Sequence, residues 1–109
     1  MITERLIEEI VEAIVEAADP ERIILFGSAA RGETGPDSDV DLMVVEKESA
    51  FHRGSRWAES THIREALAGL LVPIDLLVVT PEEIEHWKDA TNHIIARSMR
   101  EGKVLYDRP

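Results

Sequence analysis

The apolar run Ile23-Ile24-Leu25-Phe26 stops at Gly27-Ser28, and a second apolar run, Val40 to Val45, opens on Ser38-Asp39-Val40-Asp41-Leu42. No other feature limits the fold as much. Short runs rich in β-branched and aromatic residues read as strands. The pair is joined by Ala29-Ala30-Arg31, which can form a short helix closed by Gly32, and by a turn around Gly35-Pro36-Asp37. The sequence therefore calls for strand, tight turn, helical turn, loop and strand within about two dozen residues. The second strand starts with two carboxylates placed two apart.

The flanking segments fit the same frame. Thr3 can cap a helix to about Ala18, with Leu6, Ile10, Ala13, Ile14 and Ala17 on one face, and Asp19-Pro20 ends it. Residues 47–54 are polar and irregular. Ser55 caps a helix to about Leu70, with Trp57, Ile63, Leu67 and Leu70 as its apolar members. Ile74-Asp75-Leu76-Leu77-Val78-Val79 reads as a third strand, interrupted by one acid. Thr80-Pro81-Glu82-Glu83 is a capping box with proline at the first helical position. A last helix from about Ala90 ends at Gly102, and Val104-Leu105-Tyr106 adds an edge strand. Strands interleaved with helices imply an α/β layer fold on a small sheet.

With 109 residues the chain is expected to form a single domain spanning 1–109. Its net charge of -10 disfavours direct nucleic-acid binding and suits a basic protein partner. It contains no cysteine, so disulfides, thiolate metal sites and cysteine nucleophiles are excluded. The N-terminus, rich in Glu, is unlike a secretory signal, and no segment is long and apolar enough to span a membrane. A cytoplasmic protein is expected.

Side chains alternate across a strand, so Asp39 and Asp41 project from one face. Two such carboxylates repel unless a cation lies between them. Oxygen donors suit Mg²⁺, which binds one or two carboxylates together with substrate phosphates. Asp75, an acid within an apolar run, needs a partner, and a third strand beside the second would bring it to the pair. Three acids can then hold two metals for a phosphoryl displacement. Upstream, Gly27 lets backbone N–H groups approach phosphates closely, the Ser28 hydroxyl can donate, and Arg31 can add charge, an exposed ion pair being its competing role.

Gly27-Ser28, Arg31-Gly32, Ser38-Asp39-Val40-Asp41-Leu42 and Ile74-Asp75-Leu76 resemble the signature of the DNA polymerase β-like nucleotidyltransferase superfamily. More narrowly they are similar to the minimal nucleotidyltransferases (MNT), over nearly the whole chain. The resemblance implies a nucleotidyltransferase fold, a small mixed sheet of three to four strands flanked by helices. It implies Asp39, Asp41 and Asp75 as metal ligands and catalytic carboxylates, with Asp75 helping to deprotonate the attacking hydroxyl. Gly27 and Ser28 become the triphosphate cradle and Ser38 a secondary phosphate contact. The implied reaction transfers AMP from ATP, with two Mg²⁺, to a hydroxyl acceptor. The implied partner is a helical HEPN-class ribonuclease toxin, which the MNT protein, as antitoxin, inactivates by adenylylation.

Competing motifs fail at identifiable residues. Gly27 to Gly32 has P-loop glycine spacing, but Glu33 stands where lysine is required. Asp37, Asp39, Asp41 and Glu48 sit at EF-hand ligand spacings, but Leu42 replaces the turn glycine. His52, His62, His86 and His93 offer no close ligand pair for zinc, while His52, Arg53 and Arg56 stand where they could reach a substrate or partner. Trp57 and Trp87 read as core or interface anchors, and Arg97 and Arg100 as complements to a helix C-terminus. Two other functions compete with an active transferase. One is a non-catalytic antitoxin that masks its partner. The other is an antibiotic-type small-molecule adenylyltransferase, for which 109 residues leave no acceptor domain.

Overall fold

A computed structural model describes residues 2–32 and 39–109. Helix α1 (Glu4–Ala17) starts where the Thr3 hydroxyl accepts the Leu6 N–H at 3.1 Å. It buries Ile10 and Ile14 completely. Strand β1 (Arg22–Phe26) leads into the single turn of α2 (Gly27–Ala30), and β2 (Val40–Val45) is the next element; the turn expected around Gly35-Pro36-Asp37 lies outside the described residues. Residues 47–54, expected to be irregular, contain two 3-10 turns, Glu48–Ala50 and His52–Gly54. Helix α3 (Arg56–Leu67) begins at its Ser55 cap and β3 (Ile74–Val79) follows. Helix α4 (Pro81–Trp87) has both halves of the Thr80–Glu83 capping box in place. Helix α5 (Ile94–Glu101) then runs into β4 (Lys103–Asp107).

The strands form one mixed sheet in the order β3-β2-β1-β4. β1 is antiparallel to β2 and β4, whereas β2 and β3 are parallel. Both faces are covered, as the nearly continuous burial of β2 requires. On one face Leu25, Val40, Leu42 and Val44 meet Ile10 and Ile14 of α1 and Ile63 and Leu67 of α3. On the other, Ile24, Met43, Val45 and Val79 meet Ile84 of α4 and Ile95 of α5.

Other features also differ from the expectation, including α3, which ends at Leu67 rather than near Leu70. The helical turn after β1 includes Gly27 and Ser28 rather than following them. The last helix starts at Ile94, four residues later than expected, because His93 is its cap: its Nδ1 accepts the Ile95 N–H at 3.2 Å. Trp57 is not an apolar core member of α3 but is 77% exposed. Position 57 falls on the solvent side once Ile63 and Leu67 face the sheet, and helical period alone could not choose between the two stripes.

Candidate active site

Strand register assembles the site. Phe26 of β1 pairs with Asp41 of β2, and Asp41 pairs with Asp75 of β3. Because side chains alternate, Asp41 shares its face with Met43 and Val45, and Asp75 shares its face with Leu77 and Val79. Those apolar neighbours pack towards α4 and α5, so both carboxylates stand at one end of the sheet on the α5 side. Asp39 lies just before β2 and is exposed.

Gly27 follows directly and is required twice over. Its φ of +72° is in the left-handed region, and a Cβ there would fall on the Asp41 carboxylate. Chain reversal and acid are thus packed against each other. A helix dipole adds little to anion binding at this turn, because α2 has four residues and few aligned peptides. Ser28 is half-buried in that turn. Ser38 lies outside the described residues.

The Asp41 carboxyl is pushed above its ordinary range, by burial first, then by the charge and hydrogen bond of Asp75, then by the charge of Asp39. Arg31 opposes these effects. The acids therefore crowd one another more than one guanidinium can offset. Among the described residues no three His, Cys, Asp or Glu side chains are grouped so that they could hold a metal ion, so the expected triad of Asp39, Asp41 and Asp75 is not drawn together, and only Asp41 and Asp75 are paired in register. A crowded, all-oxygen, incomplete donor set fits Mg²⁺, which keeps waters and shares ligands with phosphate groups.

Beside the acids opens a cleft of about 340 Å³. Phe26, Gly27, Arg31 and Asp41 form one wall, and Asn92, Ile94, Arg97, Ser98 and Glu101 form the other. Positions 94, 97, 98 and 101 have helical spacing, so one stripe of α5 faces the cleft. The Ser98 hydroxyl is buried without a hydrogen-bond partner among the described residues. Sequence reading missed this wall and explained Arg97 by the helix C-terminus alone. The available signal was that stripe, polar at three of its four positions on a helix whose other face buries Ile95 and Ala96.

His52, Arg53 and Arg56 follow the far end of β2, which is roughly 13 Å along the strand from Asp41 at about 3.3 Å per residue. Arg56 there pairs with Glu83 at 2.9 Å, and the His52 and His62 rings stack 4.7 Å apart. Trp87, 38% exposed, stacks on His93 with ring centres 4.1 Å apart.

A family model described as a nucleotidyltransferase domain matches residues 6–103. No curated protein matches in sequence. Several solved structures share the fold. A toxin–antitoxin crystal structure with AMP-PNP is 17% identical, with 94% of this chain and 73% of that chain covered and a TM-score of 0.65. A mutant MntA-HpeT toxin–antitoxin structure is 16% identical, covering 94% and 73%, with a TM-score of 0.66. A candidate nucleotidyltransferase from Sulfolobus solfataricus is 18% identical, covering 95% and 76%, with a TM-score of 0.56.

Proposed function

The chain belongs to the nucleotidyltransferase domain family, and from that premise we propose that it transfers AMP from ATP to a hydroxyl of a protein partner, a HEPN-class toxin, and thereby acts as an antitoxin. The observation that carries this reading is the in-register pairing of Asp41 with Asp75 beside a glycine that has no room for a side chain. A transferase needs its carboxylates and its phosphate-facing backbone in contact, and an unrelated turn would not.

Asp39, Asp41 and Asp75 would hold Mg²⁺. When bound, the metal neutralises charge on the phosphate oxygens of the displacement. Gly27 and Ser28 hold the polyphosphate against the turn. The acceptor oxygen attacks the α-phosphorus, its proton passes to the Asp75 carboxylate, and the α–β P–O bond breaks to release pyrophosphate. The cleft is near the lower end of ligand-pocket volumes, about 300–1,000 Å³. On this reading the cleft takes the nucleotide and the acceptor comes from another surface. The similar structures whose names record a toxin–antitoxin pair and AMP-PNP support a partner of that kind.

Incubation with labelled ATP, Mg²⁺ and the protein encoded by the neighbouring reading frame should add one or more AMP masses to that protein. The adduct should vanish in Asp39→Ala and Asp41→Ala. A second reading, a masking antitoxin without catalysis, draws on the net charge of -10, which favours a basic partner regardless of chemistry. Neutralisation of the partner by both variants, with no adduct from the wild type, would establish masking instead.

A further inference from the structure

Arg97 stands on the α5 wall of the cleft, across from the turn that carries Gly27 and Arg31. Its recorded partner is Glu101, Nε to carboxylate at 3.4 Å, with the side chains 61% and 43% exposed. That pair is poorly suited to a structural role. Exposed i,i+4 pairs contribute little, and arginine before glutamate is the weaker order on a helix. Both residues nevertheless face the same cleft as Asp41.

A nucleoside triphosphate entering here meets Asp41, with Asp75 and Asp39 alongside, in a chain of net charge -10. Among the described residues, the cations lining the cleft are Arg31 and Arg97, one on each wall. Guanidinium forks match phosphate oxygens, and such charge-assisted bonds are stronger than an exposed carboxylate pair. We infer that Arg97 is a positioning residue for the polyphosphate, released from Glu101 by the incoming nucleotide. Glu101 is then its competitor and lowers nucleotide affinity. The inference rests on the nucleotidyltransferase reading and adds to it a wall, a residue and a sign for each substitution.

Calorimetric binding of ATP and of AMP in Mg²⁺ buffer, to the intact chain and its variants, tests this. Arg97→Ala should weaken ATP by roughly tenfold, about 1.4 kcal/mol, and leave AMP nearly unchanged, since AMP lacks the β- and γ-phosphates. Arg97→Lys should restore part of the loss. Glu101→Gln should tighten ATP by about two- to threefold, the scale of an exposed pair. Equal loss of ATP and AMP in Arg97→Ala, or no loss of either, overturns the assignment while leaving the transferase reading in place. Weaker ATP binding by Glu101→Gln overturns the competition. Failure of the wild type to bind ATP overturns the transferase reading and this inference together.

Discussion

Gly27 and Asp41 show opposite ways in which single residues set the site. At Gly27 alanine must adopt a φ of +72° and place its Cβ on the Asp41 carboxylate. Strain and overpacking of this kind cost on the order of 1–3 kcal/mol. Gly27→Ala should therefore lose stability in urea denaturation and lose AMP transfer together, and wild-type stability in the variant would contradict the packing argument. Asp41 differs because its ionised form is disfavoured by burial and by Asp75 and Asp39. A carboxylate whose folded pKa is raised lowers stability as pH rises through its titration. Asp41→Asn removes that charge, so in metal-free buffer at pH 7 it should melt at a higher temperature than the wild type while losing activity. Stability and activity trade against each other at such sites. A lower melting temperature would mean that the acids are compensated by contacts other than Arg31.

Between elements, the junction of β2 with α3 has its own charge problem. Glu46, directly after β2, is fully buried, and among the described residues no donor reaches its carboxylate oxygens, which leaves the neighbouring Glu59 carboxyl as the group it can share a proton with. Its neighbour on α3, Glu59, is also buried and accepts the His52 N–H at 2.8 Å. Burial first, and then the Glu59 carboxyl, push Glu46 up to about 9 from the usual 4.5. The folded state thus holds a proton that the unfolded chain releases at about pH 4.5. Stability from this group is full below that pH, falls as pH rises towards 9, and is flat above it. Glu46→Gln should remove most of that slope and stabilise the protein at pH 8 by on the order of 2–4 kcal/mol, as read by denaturation at pH 6 and pH 8. Equal slopes in the two proteins would count against a buried proton at this junction. No sequence signal marked the pair, because Glu46 follows an apolar run as many solvated strand ends do, and Glu59 sits within an ordinary polar helix face. Helix α3 must first lie on β2 before either acid has an environment.

Across the whole molecule, a net charge of -10 on 109 residues makes self-repulsion a general destabilising term. Screening lengths near 10 Å at about 0.1 M salt shorten that repulsion. Raising NaCl from about 0.01 to 0.2 M should therefore lift the thermal midpoint by about 2–5 °C, the scale of a fraction of a kcal/mol in a domain of this size. A falling midpoint would mean that surface ion pairs such as Arg56–Glu83 outweigh repulsion. Element order was legible in the chain because it depends on local chemistry. Thr3, Ser55 and Thr80 cap the helices they were expected to cap, and Asp41 and Asp75 fall in strands whose bounds could be read from apolar runs alone. The acid pair, its turn glycine and the family resemblance likewise follow from residues close in sequence. Tertiary structure decided the partnerships between distant segments. Register put Asp75 opposite Asp41, docking of α5 brought Arg97 and Glu101 to the cleft, and the choice of helix face left Trp57 in solvent. The physical reason is that caps, turns and alternation act over a few residues, whereas charge crowding and cleft walls exist only after the sheet and helices have packed.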